Sequence, residues 1–323
     1  MTTRRSTSHV PYDVFSLREI LHTAFPEGLV IPDHTPTEHW YKNTRTGSRA
    51  ASVTTKQNVV AKGYLKQWAV NKGIDHISAN IERLKSGDTS VLDEAKFAHE
   101  NELGAAGQTG TNAHGAIDKF CIEWIERGTK PSLSAASFLR EGAPGQEVAA
   151  CRSFDKFISE VEVVPVASEL KVWYEKGKDC FAGTVDAVLL INEVYKEREG
   201  SKDCDHDYSP QTKSLWCTKC GREVVQKLIL GDWKTSNQIQ KKDEYAEQTV
   251  AYATAIEVGT GLKFDDIYVI RFEKSRADYE MARVADRRHA WQRYLATSRL
   301  YDLHAKSRES LLVPLHEKIK FSI

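Results

Sequence analysis

Two apolar runs in the middle of the sequence limit most strongly what this chain can fold into. Residues 182–191, "AGTVDAVLLI", and residues 224–234, "VVQKLILGDWK", each have the length and the Val, Ile and Leu content of a buried β-strand. The segment between them, residues 192–223, is polar and interrupts what would otherwise be two neighbouring strands. We expect the two runs to pair in one sheet, with the polar segment inserted at their turn.

The flanking segments supply helices and further strands. Residues 52–127 carry helical spacing, and we expect helices broken at the glycines. A further helix precedes a β-rich segment in which "EKGKD" is a hairpin signal. After the second apolar run come a helix, a strand at "DDIYVIRFEK" and a closing helix over residues 283–308. This order predicts an α/β fold (α+β mixed) with a central mixed β-sheet flanked by helices.

The domain organisation follows from the early prolines, the insertion and the closing helix. We expect an irregular N-terminal arm with one short helix over residues 1–48 and a main domain over residues 49–300, which begins with a helical region. The insertion, residues 196–225, lies within that domain. A C-terminal tail over residues 301–323 completes the chain.

The composition argues against a membrane protein. No apolar run approaches the ~18 residues that a membrane span requires, and no apolar segment typical of a secretory signal follows "MTTRR". We therefore expect a cytoplasmic location. The chain has 45 Lys and Arg residues against 45 Asp and Glu residues, so its net charge points to no polyanionic partner. A local positive excess over residues 271–299, which we expect to be largely helical, is either a solvated face or a phosphate-binding surface.

Three of the six cysteines lie close together in the inserted segment. Cys204 and His206 form one pair of potential ligands, and the Cys-x-x-Cys-Gly sequence of Cys217 and Cys220 forms another. Thiolate and imidazole ligands in two pairs suit a tetrahedral, structural Zn²⁺ ion. The alternative is a loop with free cysteines, but so polar a segment has little else to fold around. His206 is the least certain ligand, since His289 or an acid could replace it.

An acid and a base stand two residues apart where the second apolar run ends. Side chains at this spacing in a strand point to one face, so Asp232 and Lys234 are held side by side. A salt bridge or a site accounts for such a pair. If the two strands pair, Asp186 on the first strand converges with Asp232, and two carboxylates suit Mg²⁺ or Mn²⁺. A metal ion beside a lysine predicts phosphodiester hydrolysis by an activated water molecule.

These residues resemble the motifs of the PD-(D/E)XK nuclease superfamily, in its RecB-like exonuclease branch, which includes the mitochondrial genome maintenance exonuclease and many phage proteins. The matching segments occur in the family's order: "SVTT" with "LKQWAV", "GTNAHGAID", "FAGTVDAV", "GDWKTS" and "EQTVAYATA". A single D-x-K pair is a weak signal, whereas five ordered segments are a strong one. The resemblance implies a restriction-endonuclease-like core, and the leading segment is similar to phage members that would act in a bacterial host cytoplasm.

The resemblance also implies roles for individual residues. His114, Asp186, Asp232 and the backbone carbonyl of Trp233 would bind the catalytic Mg²⁺ or Mn²⁺ ion, and Lys234 would act on the attacking water. Two further family positions, Gln248 and Tyr252, would orient the lysine and a substrate phosphate. An upstream acid of some members corresponds to Glu169, which would reach the metal through water or pair with a lysine.

Two features depart from the family pattern. Asp186 and Asp232 are 46 residues apart (232 − 186), farther than the short hairpin usual in these nucleases, and the inserted segment accounts for the difference. One branch of the family holds an iron–sulfur cluster with one cysteine before the nuclease core and three after it. This chain lacks that arrangement, so we predict no iron–sulfur cluster.

The leading functional hypothesis is therefore a metal-dependent deoxyribonuclease, more an exonuclease than an endonuclease, acting on single-stranded DNA or DNA ends. Two other hypotheses stand beside it: an inactive nuclease-fold protein that binds DNA or serves as a scaffold, and an interaction protein that works through its zinc ribbon. We also expect the insertion to extend from the edge of the active-site cleft, where it would contact DNA or a replication or recombination protein.

Overall fold

A computed structural model describes residues 12–60, 63–196, 204–210, 214–235, 239 and 243–306. The predicted tail therefore lies outside the described residues beyond residue 306, as do the first eleven residues of the predicted arm and parts of the insertion. Across the described residues, no helix combines the length and the apolar character needed to cross a membrane.

The N-terminal region is more ordered than the sequence indicated. It contains the predicted short helix α1 (Val14–Ala24), followed by the strands β1 (Val30–Pro32), β2 (Trp40–Asn43) and β3 (Arg49–Ala51). The three strands form an antiparallel sheet of their own. Asp13 caps α1, since its carboxylate accepts hydrogen bonds from two backbone amides of the first turn. The region packs on the domain and is not an irregular arm.

The helical region that follows contains the longest element of the fold. It comprises α2 (Val53–Gln57), α3 (Gly63–Ala79), α4 (Ile81–Lys85), α5 (Ser90–Arg127) and α6 (Gly145–Glu160). The predicted breaks at glycines within α5 were wrong, because α5 is one continuous helix of 38 residues. Each internal glycine costs a helix only about 1 kcal/mol, which tertiary packing can offset. At Gly110 the absence of a side chain allows α5 to lie close to Thr235, since a Cβ atom there would be 3.0 Å from Thr235 Oγ1.

The second half of the chain builds the central sheet. Its elements are β4 (Val163–Lys176), β5 (Asp179–Lys196), β6 (Tyr208–Pro210), β7 (Leu215–Cys217), β8 (Glu223–Lys234), α7 (Asp243–Thr260), β9 (Asp266–Phe272), β10 (Tyr279–Arg283) and α8 (Arg287–Lys306). The main strand order is β10-β9-β8-β5-β4, and the β6–β7 hairpin attaches to β8. Strands β8 and β9, which α7 connects, run parallel, and the other strand pairs of the described residues are antiparallel. The structure thus confirms a mixed α/β fold with a central mixed sheet.

Alternating side chains of β5 and β8 fill two cores on opposite faces of the sheet. On one face, Val188 and Leu230 pack with residues of α1, α7 and α8. On the other face, Leu189 and Ile229 pack with aromatic residues of α5 and α6. Residues 187–190 of β5 and the paired residues 228–231 of β8 are apolar because this part of each strand is central and covered on both faces, as the sequence predicted.

The positive stretch at residues 271–299 is not largely helical, because it includes the end of β9 and all of β10. Its arginines form ion pairs: Arg271 with Glu280, Arg276 with Glu273, Arg283 with Asp266, Arg287 with Glu257, Arg293 with Glu247 and Arg299 with Asp179. The acids of these pairs neutralise most of the positive excess of this stretch. They favour the solvated-face alternative for this stretch as a whole.

Candidate active site and metal centre

The register of the central sheet brings three acids into one row. The β5–β8 ladder ends with the pair of Ala187 and Gly231, so Asp186 and Asp232 are the next pair in that register. On the other side of β5, Ser168 pairs with Ala187 and Leu170 with Val185, which leaves Glu169 opposite Asp186. Three neighbouring strands therefore carry carboxylates side by side at one position across the sheet.

Asp186 fixes the end of the β5–β8 ladder. Its Oδ2 atom accepts a hydrogen bond of 2.6 Å from the backbone amide of Trp233. The Trp233 side chain is buried among Phe154, Phe157 and Phe272 on the opposite face of the sheet. That anchor holds the backbone between Asp232 and Lys234 in place, so that both charged side chains lie on the face covered by α7.

Asp232 and Lys234 form a buried ion pair. Lys234 Nζ lies 2.5 Å from Asp232 Oδ2, and the two side chains are 16% and 2% exposed. The Oδ2 atom is fully buried and makes no hydrogen bond of good geometry among the described residues. Burial, followed by the charge of Asp186, raises the pKa of Asp232 to about 6 against the opposing effect of Lys234. Burial of Lys234 lowers the pKa of its ammonium group. The charges of Asp232 and Asp186 outweigh this effect, so the pKa of Lys234 is raised.

Helix α5 contributes a neutral histidine. His114 Nδ1 lies 3.9 Å from Asp186 Oδ1, and the imidazole is 24% exposed. Burial and the nearby Lys234 charge lower the pKa of His114 to about 4, so the ring is neutral at neutral pH. A neutral imidazole keeps a lone pair, which allows it to act as a metal ligand or a hydrogen-bond acceptor.

Helix α7 contributes three side chains at positions i, i+3 and i+7 of one face. The ring of Tyr245 lies under the Lys234 ammonium group, 5.0 Å from its centroid. Gln248 Nε2 donates a hydrogen bond of 3.3 Å to the Tyr252 hydroxyl. The ring of Tyr252 rests directly on β5, because a Cβ atom at Gly183 would lie only 2.5 Å from it. The structure therefore brings every residue of the sequence-predicted constellation to one region of the sheet.

Glu169 is unusual in both backbone and charge. It is the one non-glycine residue with positive φ, 48°, among the described residues. Such backbone costs of order 1–3 kcal/mol and is concentrated at functional sites. Burial and the charges of Asp186 and Asp118 raise the pKa of Glu169 to about 8.

Asp118 belongs to this group and was missed in the sequence. It follows His114 by one helical turn on α5 and thus faces the same side. Its Oδ1 atom is buried without a hydrogen-bond partner among the described residues, and burial raises its pKa. The only available signal was the His-x-x-x-Asp spacing in "HGAID", which is common in helices. Tyr245 was missed for a similar reason, because an aromatic residue on an apolar helix usually belongs to the core.

The Cys/His cluster has the dimensions of a zinc site. The ligand atoms of Cys204, His206, Cys217 and Cys220 all lie within 4.8 Å of one another, and His289 is not among them. Cys204 Sγ is 3.9 Å from Cys217 Sγ, and Cys220 Sγ is 3.5 Å from His206 Nδ1. Zinc bonds of about 2.3 Å to sulfur and about 2.0–2.1 Å to nitrogen give tetrahedral edges of about 3.8 Å and about 3.6 Å. The cluster could therefore bind a zinc ion.

The local electrostatics suit a thiolate ligand. Burial raises the pKa of Cys217, but hydrogen bonds from backbone amides and from His206 outweigh that effect and lower it to about 5. In the same described part of the chain, His114, Asp186 and Asp232 form no second group of ligand atoms as close together as the Cys/His cluster.

The cluster does not border the carboxylate row. Its strand β7 pairs with β8 at Glu223 and Val224, the end of β8 opposite to Asp232. Glu223 and Asp232 are nine positions apart on the extended strand β8, which corresponds to about 30 Å. The expectation that the insertion extends from the edge of the active-site cleft was therefore wrong. The insertion joins the end of β5 to the start of β8, so it lies at the turn of this antiparallel hairpin. Asp186 and Asp232 lie at the opposite end of the paired strands.

No protein-family model matches the chain, and no curated protein matches it either.

Proposed function

We propose that this protein is a metal-dependent deoxyribonuclease with a restriction-endonuclease-like core of the PD-(D/E)XK type. The observation that carries the proposal is the row of carboxylates on β4, β5 and β8 with Lys234 paired to one of them. An enzyme that hydrolyses a phosphodiester needs a cation site next to a donor that can approach the phosphate. The arrangement of strands, with α7 crossing between parallel β8 and β9, supports the same proposal.

The donor set supports a hard divalent cation. The carboxylates of Asp186 and Asp232, the neutral imidazole of His114 and the Trp233 carbonyl are the groups that would hold Mg²⁺ or Mn²⁺. Burial raises the pKa values of both aspartates even though Lys234 opposes that effect, so a bound divalent cation would further stabilise their charged forms. When bound, the metal would supply an activated water molecule and would neutralise phosphate charge.

The protein's own residues have separable tasks in this proposal. Lys234, whose pKa the two aspartates raise, would orient the attacking water or donate a hydrogen bond to a phosphate oxygen. The Tyr245 ring and the Asp232 carboxylate hold the ammonium group from two sides. Gln248 and Tyr252, joined by their hydrogen bond, present an amide and a hydroxyl group toward the same region and would contact a substrate phosphate.

The Cys/His cluster would hold a structural zinc ion. Four protein ligands leave no open position for a substrate, and the cluster closes the end of the insertion remote from the acids. Its His206 lies against Arg222, which also pairs with Glu162 at the start of the central sheet. The zinc ion would thus hold the β6–β7 hairpin onto β8. A replication or recombination protein remains the partner we propose for the exposed side of this insertion.

Purified protein can be tested directly on end-labelled linear DNA and on circular DNA, each single-stranded and double-stranded, with Mg²⁺ and with Mn²⁺. We expect cleavage of linear substrates that requires the metal and stops with EDTA. Binding of DNA without cleavage under any of these conditions would instead support the inactive nuclease-fold alternative. Cleavage of circular substrates at a similar rate would make the protein an endonuclease.

A further inference from the structure

A cavity of about 710 Å³ opens beside the carboxylate row. It lies between the loop that joins α1 to β1, the C-terminal part of α5 and strand β4. Glu169 and Asp118 form part of its wall, so it adjoins the row at the β4 side. Its volume is within the range of about 300–1,000 Å³ that is usual for small-molecule pockets. We call this cavity the end pocket.

About half of the residues that line the end pocket are apolar. Phe25, Pro26, Val30, Pro32 and Leu170 line it, together with Ile31 and Ile122. The last two are 38% and 39% exposed, so they present apolar surface to solvent. A flat, partly apolar ring such as a nucleobase would cover these side chains, and base stacking against apolar and aromatic groups is a general mode of single-strand recognition.

The charges of the end pocket are mainly negative. Glu27, Asp118, Glu126 and Glu169 line it, against Lys171 and His22. Carboxylates accept hydrogen bonds from the hydroxyl groups of a sugar and from the amino groups of bases, but they repel phosphate.

The opposite side of the row has a different character. A second cavity, of about 700 Å³, is lined by two cations, Arg271 and Lys274, and by two acids, Glu102 and Glu273. Arg271 is the direct neighbour of Lys234 in the β8–β9 register. A DNA strand that crosses the row therefore meets a wall of balanced charge on one side and the partly apolar, mainly acidic end pocket on the other. Its continuing phosphates are repelled less on the first side, and the second side has room for a nucleoside without a further phosphate.

We propose that the end pocket receives the terminal nucleoside of a DNA strand whose end carries a free hydroxyl group, and that it disfavours a terminal phosphate. This inference rests on the proposed nuclease function and adds to it the kind of end on which the enzyme acts. It also gives a physical reason for exonuclease action, because a strand that continues past the row would have to place phosphates among the acids.

The test measures binding and cleavage separately. Short single strands with an internal fluorophore are titrated with the full-length protein in Ca²⁺, in three forms: hydroxyl groups at both ends, a 5′ phosphate, and a 3′ phosphate. We expect one of the two phosphates to weaken binding about tenfold, a cost of about 1.4 kcal/mol. Equal binding of all three forms, tighter binding of a phosphorylated form, or no binding at all would overturn the proposal.

Two variants with matched controls show whether the effect arises in the end pocket. Ile122→Trp would fill the pocket and weaken binding of the hydroxyl-ended strand, whereas Ile74→Trp, at an exposed isoleucine of α3, would not. Glu126→Lys would reduce or reverse the phosphate penalty, whereas Glu82→Lys on α4 would leave it unchanged. If the terminal phosphate weakens binding to Glu126→Lys as much as to the wild type, the effect arises outside the end pocket, which contradicts the proposal. Failure of the wild-type protein to cleave DNA with Mg²⁺ or Mn²⁺ would count against the proposed function alone.

Discussion

The backbone amide of Trp233 on β8 donates a hydrogen bond of 2.6 Å to Asp186 Oδ2 on β5. A side chain of β5 thus makes the last hydrogen bond between these two strands. Asp186 therefore has two roles that can be separated by substitution. One is structural, because it satisfies a buried backbone donor. The other is chemical, because its charge stands next to Asp232 in the row.

Substitution of Asp186 by Asn and by Ala separates these roles. We expect Asp186→Asn to keep an acceptor for the Trp233 amide, with a melting temperature close to wild type, but to abolish metal-dependent cleavage. Asp186→Ala leaves the amide unsatisfied and costs about 1–3 kcal/mol of the free energy of unfolding. Urea denaturation and cleavage assays of both proteins provide the comparison. Normal cleavage by Asp186→Asn would argue against its charge having a part in the reaction.

Gly183 allows Tyr252 to lie flat on β5. A methyl group at this position would lie 2.5 Å from Tyr252 Cε1, so Gly183→Ala must displace the ring. We expect a loss of about 1–3 kcal/mol of stability from overpacking, together with slower cleavage. The double variant Gly183→Ala, Tyr252→Leu should recover stability but not cleavage. Gly115→Ala on α5 is the control, since no atom lies within 4 Å of the added Cβ. Additive stability effects in the double variant would show that the two residues are not coupled.

The raised pKa of Glu169 has a consequence for stability without metal. Its ordinary pKa is 4.5, and burial with nearby acids raises it to about 8 in the folded protein. Between these values the folded state retains a proton that the unfolded state has released, so the free energy of unfolding falls as the pH rises. The slope from one such proton is at most about 1.4 kcal/mol per pH unit. Urea denaturation in EDTA between about pH 5 and about pH 8 measures it.

Glu169→Gln should flatten this pH dependence, and Glu175→Gln, at an exposed position of the same strand, should not. An unchanged slope in Glu169→Gln would assign the effect to other acids of the row.

The Cys/His cluster predicts about one zinc ion per chain. Cys220→Ser should lose the zinc and lower the melting temperature, and Cys180→Ser, at a half-buried cysteine outside the cluster, should retain it. Because the cluster lies about 30 Å along β8 from Asp232, we expect the cleavage rate of folded Cys220→Ser to stay within about twofold of wild type at temperatures below its melting transition. Metal analysis with cleavage assays checks both points. Full zinc content in Cys220→Ser would contradict the ligand assignment.

The central hairpin and its acids could be predicted from the sequence because their signals are local and repeated. The apolar runs of β5 and β8 could only be buried central strands, and the turn "EKGKD" joins β4 to β5 where the hairpin signal indicated. The pairing of β5 with β8 then follows, and with it the position of Asp186 beside Asp232. The ligand spacing of the Cys/His cluster is equally local.

Other features depend on contacts between distant segments and left no comparable signal. The strands β1–β3 are only three or four residues long and are separated by turns. They are too short to show a recognisable alternation of apolar and polar residues. The continuity of α5 depends on its packing against other elements, which overrides its glycines. Asp118 joins the site only because α5 crosses β4 near Glu169. The remote position of the Cys/His cluster depends on where the hairpin turns, which the spacing of cysteines does not report.

The central claim is tested most directly by the initial rate at which Lys234→Ala cleaves end-labelled linear DNA in Mn²⁺. The matched control is Lys227→Ala, at a lysine of the same strand that pairs with Glu193 and Asp266 away from the row. We predict that Lys234→Ala loses at least about 10²-fold in rate, whereas Lys227→Ala cleaves like wild type. Metal-dependent cleavage by Lys234→Ala at the wild-type rate would contradict the account.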